Sequence, residues 1–89
     1  MTTFTKTQDA LLKLHRAVSK DVKKMGWLWE TQFIVHRDGV QEISVRLTAL
    51  SGGRWLTLAE AAFFDYMLPE ELDGLLEELN FDLKALKLV

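Results

Sequence analysis

"WLWETQFIVHRDGVQEISVRLTAL", residues 27–50, is the stretch whose reading decides the fold. Two runs rich in β-branched and aromatic residues flank Arg37-Asp38-Gly39, so the segment reads as a β-hairpin whose register decides which side chains share a face. A two-residue Asp38-Gly39 turn pairs Phe33 with Ser44 and Trp29 with Thr48, which divides the apolar residues between both faces. A three-residue Arg37-Asp38-Gly39 loop, a type I turn followed by Gly39 as a left-handed bulge, pairs Trp27 with Ala49, Trp29 with Leu47, Thr31 with Val45 and Phe33 with Ile43. One continuous apolar face results, and the reverse face sets Glu30 opposite Arg46 and Gln32 opposite Ser44. The three-residue register is therefore expected, with Trp27 and Trp29 mainly in the core beneath a helix.

Upstream, a helix is expected from Gln8 to Met25, with Thr5 or Thr7 as its cap and Gly26 as its stop. Leu11, Leu14, Val18, Val22 and Met25 fall within about 80° of one another at 100° per residue. Lys6, Lys13, Arg16, Lys20, Lys23 and Lys24 form the opposite face, with Asp9 among them. Downstream, "SGG" at 51–53 reads as a loop, and "RWLT" reads as a short optional third strand. Thr57-Leu58-Ala59-Glu60 has the form of a capping box, which predicts an apolar helix over 58–68. Pro69 then restarts the chain as "PEELDGLLEELN". There Leu72, Leu75, Leu76 and Leu79 line one side and Glu70, Glu71, Asp73, Glu77 and Glu78 the other. Asn80 is a candidate cap, a continued helix would project Phe81 from the polar face, and residues 81–89 are left open between helix, strand and tail. The expected architecture is α+β in one domain over 1–89: an N-terminal amphipathic helix, an antiparallel hairpin of two or three strands, and two or three C-terminal helices on one sheet face.

Composition narrows the function. Eighty-nine residues with 48% hydrophobic and 27% charged content suit one small globular domain. No apolar run approaches the ~18–20 residues of a membrane span, so no membrane role is expected. The chain has no cysteine, and "MTTFTKTQDALLK" lacks the pattern of a secretory leader, so a cytoplasmic location is expected. Charge is segregated: residues 1–54 carry nine Lys/Arg against five Asp/Glu, and residues 55–89 carry two against eight. Such polarity suits a nucleic-acid surface, an acidic face for a basic partner, or two halves that attract each other.

Chemistry has little to work with. His15 and His36 have no base-and-orienter partners in the pattern, the glutamate pairs sit on a helix surface, and "SGG" lacks the lysine of a phosphate loop. No catalytic residue, cofactor or metal ligand is assigned, and no enzymatic activity is expected. The expectation is an interaction module, a regulator or inhibitor of a larger macromolecular complex. It would bind protein through Phe63, Phe64, Tyr66 and Met67 of the apolar helix and Glu70, Glu71, Glu77 and Glu78 of the acidic one. Homodimerisation through the same surfaces is an equivalent use of that apolar area. The alternative is nucleic-acid binding through Lys13, Arg16, Lys20, Lys23 and Lys24, extended by Arg37, Arg46 and Arg54. No aromatic residue interleaves with that basic stripe in the sequence.

Overall fold

The hairpin forms in the three-residue register. In the computed structural model, which describes residues 2–88, β1 (Leu28–Val35) pairs antiparallel with β2 (Gln41–Ser51). Trp29 stands opposite Leu47, Thr31 opposite Val45 and Phe33 opposite Ile43, with Glu30 opposite Arg46 and Gln32 opposite Ser44 on the reverse. The loop is closed by His36 N–H donating to Val40 O at 2.8 Å and Gly39 N–H donating to His36 O at 2.9 Å. Asp38 Oδ1 accepts from Val40 N–H at 3.0 Å, and Gly39 has φ +88°, a value that favours glycine. Trp27 lies just outside the ladder, half-buried against the core, while Trp29 is 9% exposed.

The helix expected over 58–68 is instead the third strand, β3 (Arg54–Phe64), paired antiparallel with β2. Gly52 and Gly53, both at positive φ, make the two-residue turn between Ser51 and Arg54, as right-handed strand twist requires of such a short connection. Ala59, Ala61 and Phe63 then face Leu47, Val45 and Ile43 at strand spacing. The register shifts by one between Leu47/Ala59 and Thr48/Thr57, so Leu58 is the extra residue of a bulge. The Thr57 to Glu60 pattern caps nothing, because its residues lie inside a ladder. A uniformly apolar run carries no period, so tertiary pairing decides between helix and strand.

Two helices, not the three or four expected, cover one face of the sheet, whose order is β1-β2-β3. The first, α1 (Thr3–Lys24), starts five residues earlier than the sequence suggests. Thr2 caps it, its Oγ1 accepting from Thr5 N–H at 3.2 Å. The extra turn buries Phe4, whose ring lies 6.5 Å from Phe33, and Thr7, whose hydroxyl donates to Thr3 O at 3.0 Å. Its C-terminus closes as a Schellman motif: Gly26 at φ +73° donates to Lys23 O, and Trp27 N–H to Val22 O. Met25 is the C-cap and is exposed rather than part of the buried stripe.

The second, α2 (Pro69–Ala85), is the whole of the C-terminal helical part. Asn80 does not cap it; its side-chain amide donates to Leu76 O at 3.1 Å within the helix. The helix runs on because Leu83 is fully buried, and it ends when Lys87, at φ 63°, donates to Lys84 O while Leu88 N–H donates to Leu83 O. This is the same terminal motif with lysine where glycine is usual. Phe63, Ile43, Leu47, Val45, Val18, Leu72 and Leu83 form the centre between the layers, each such side chain contributing about 1.5–3 kcal/mol by leaving water. Among the described residues no helix is long and apolar enough to cross a membrane.

Candidate interaction surfaces

The outward face of α2 is built by its leucines. Pro69 fits the first helical position because it needs no N–H donor there, and it holds Leu68 extended (φ −67°, ψ 152°). Glu71 Oε1 then accepts from Leu68 N–H at 3.2 Å, and Glu70 and Glu71 sit where the helix dipole favours negative charge. Burial of Leu72, Leu79 and Leu83 fixes the rotation. Glu70, Glu71, Glu77 and Glu78 are consequently all exposed, together with Asp73 and Asp82. Phe81 stands in the middle of this acidic face and is 72% exposed. Glu77 and Glu78 are its neighbours four and three residues back, and Gly74 lies on the same line two turns up. A Cβ at Gly74 would meet nothing within 4 Å, so the helix backbone is open to solvent there.

The other proposed partner residues separate. Phe63 is 0% exposed and packs beneath the helices, so it belongs to no surface. Phe64 points to the reverse side of the sheet, with its ring 5.3 Å from Tyr66 and 6.5 Å from His36. His36 Nε2 lies 2.8 Å from Glu42 Oε1, which ties the hairpin turn to this stack. Tyr66 is 68% exposed, and exposed Leu68 follows it into α2, whereas Met67 packs against the core. Among the described residues no helix lies over the reverse face of the sheet: Glu30, Gln32, Ser44, Arg46 and Glu60 occupy its middle, with Arg46 Nε 3.8 Å from Glu60 Oε2. At its far end Leu28, Leu50 and Trp55 are exposed.

On α1, burial of Leu11, Val18 and Val22 turns Lys6, Lys13, Arg16, Lys20, Lys23 and Lys24 to solvent. Among the described residues no ion pair joins this face to the acidic face of α2. Beside the C-terminal half of α1 a cleft of about 550 Å³ opens toward the start of β1. His15, Ser19, Lys20, Lys23, Trp27 and Trp29 are among its walls. His15 stacks on Trp29 with ring centroids 5.6 Å apart and planes 7° from parallel, and Trp29 Nε1–H donates to Thr31 Oγ1 at 2.9 Å. The aromatic residues missing from the basic stripe thus arrive from β1 and the residue just before it, a juxtaposition that helical spacing does not reveal. His15 and His36 lie on opposite sides of the sheet, and among the described residues no three His, Cys, Asp or Glu gather to hold a metal ion.

The chain matches no protein-family model, no curated protein and no solved structure.

Proposed function

We propose that this protein is a non-enzymatic interaction module that regulates or inhibits a larger complex by docking the outward face of α2 on a basic protein surface. The observation that carries this reading is Phe81, an aromatic side chain 72% exposed at the centre of an acidic helix face. An aromatic side chain ringed by charged residues matches the anchor-and-rim pattern of protein interfaces, in which a few aromatic anchors supply most of the binding energy. Glu70, Glu71, Glu77 and Glu78 around it supply charge that steers a basic partner and fixes its orientation. Gly74, two turns from Phe81 on the same line of the helix, leaves the backbone open to such a partner. Tyr66 and Leu68 extend the apolar part of the surface toward the start of the helix.

The complementary partner carries an apolar recess rimmed by Lys or Arg. Reversing Glu77 and Glu78 to Lys is expected to leave the circular dichroism spectrum unchanged, because both are exposed and neither caps the helix as Glu71 does, and to abolish capture of a saturable partner by the immobilised protein. Equal capture by the native and reversed proteins would remove the binding surface from α2.

A further inference from the structure

We propose that the cleft between the C-terminal half of α1 and the start of β1 binds single-stranded nucleic acid, with a base against Trp27 and its phosphate held by Lys20 and Lys23. This site is independent of the acidic face of α2 and goes beyond the reading given for it. The lining dictates the ligand. Trp27, Trp29, His15 and Val22 supply aromatic and apolar wall, while among the described residues Lys20 and Lys23 are the Lys or Arg side chains that line it and Ser19 adds a hydroxyl. A cleft of about 550 Å³ with that lining suits a planar group joined to an anion. Trp29 has no free face, since His15 stacks on it and only 9% of it is accessible. Trp27 is half-buried in the same wall and is the ring left for a ligand, with exposed Leu28 as the lip.

What makes the ligand a strand rather than a small molecule is the continuation of charge beyond the cleft. Lys13, Arg16, Lys20 and Lys23 follow one another at three- and four-residue intervals, one cation per helical turn, or about 4.5–6 Å of rise per step. Lys24 lies alongside, and all are exposed. A row of cations leading into an aromatic cleft is the combination by which sequence-tolerant single-strand binders work: the row follows the backbone and the ring accepts whichever base is presented. The cleft admits a base only when it is unstacked, so a duplex meets the lysines alone.

The test is fluorescence anisotropy with labelled single strands of about twelve nucleotides and a duplex of equal length, at low and at physiological salt. Saturable single-strand binding that exceeds duplex binding at both salt concentrations is expected. Lys20→Gln with Lys23→Gln, both exposed and so harmless to folding, is expected to weaken binding at least tenfold and to flatten the log–log salt slope by about 1.4, the value for two phosphate contacts on a single strand. Trp27→Leu is expected to weaken binding about 5- to 150-fold, the loss of one base stack. Absence of binding at low salt, or equal affinity for the duplex, overturns the proposal. So does an unchanged salt slope in the lysine variant, and adenosine monophosphate displacing the strand at equal nucleotide concentration would reduce the cleft to a mononucleotide pocket.

Discussion

Gly74 sits in the interior of α2, where glycine costs about 0.5–1 kcal/mol relative to alanine and where neither a positive φ nor a crowded Cβ requires it. Gly74→Ala is therefore expected to stabilise the fold by about that amount, a rise of roughly 2–8 °C in Tm by thermal unfolding. If a partner packs on the backbone at Gly74, the same methyl group lowers partner affinity, so stability and binding move in opposite directions. Phe63 and Phe64 make a second point at this scale. They are adjacent in sequence, yet one is sealed in the core and the other lies in a stack with Tyr66 and His36 on the far side of the sheet. A reading that treats both as one apolar helix face merges two surfaces that strand geometry puts on opposite sides.

At the level of elements, the hairpin 28–51 was legible because a one-residue slip would have set Trp29 on the opposite face from Ile43 and Leu47, and only one register keeps them together. The body of α1 was legible from its 3.6-residue stripe, but its first turn was not, because Phe4 lies about two turns before the aliphatic stripe begins at Leu11. The strand β3 was not legible for the opposite reason: "LAEAAFF" is apolar at nearly every position, so both periods fit, and the Thr57 to Glu60 pattern pointed the wrong way. The informative signal was Gly52-Gly53 between two apolar runs, a two-residue hairpin turn. The end of α2 was hidden because Lys87 takes the left-handed position where glycine would have announced a stop. Of the candidate surfaces, the glutamates and lysines were readable from helical spacing, whereas the cleft needed β1 beside α1. The three tryptophans report these placements in solution, since Trp29 is buried, Trp27 half-buried and Trp55 58% exposed. Acrylamide is expected to quench one component of the emission readily, and Trp55→Phe is expected to remove that component and leave a blue-shifted, resistant one. Emission that stays readily quenched in Trp55→Phe would show that the sheet face under α1 is open.

Across the whole molecule, charge polarity in the sequence becomes polarity in space. The two helices lie side by side on one sheet face, α1 presenting lysines and α2 presenting glutamates, and among the described residues no ion pair spends these charges on each other. A fold that used its opposite charges internally would show such pairs along the helix–helix contact; here both faces are left to solvent and to partners. The reverse of the sheet, with mixed Glu30, Gln32, Ser44, Arg46 and Glu60, is the less selective surface. The central claim is that the outward face of α2 is where a protein docks, and the most direct measurement is site-specific photo-cross-linking. A benzoylphenylalanine placed at Phe81 is expected to give one discrete protein adduct, which reversal of Glu77 and Glu78 to Lys abolishes, while the same probe at Gln32 on the open sheet face gives none. Adducts of equal yield from both positions, or none from Phe81, would contradict the account.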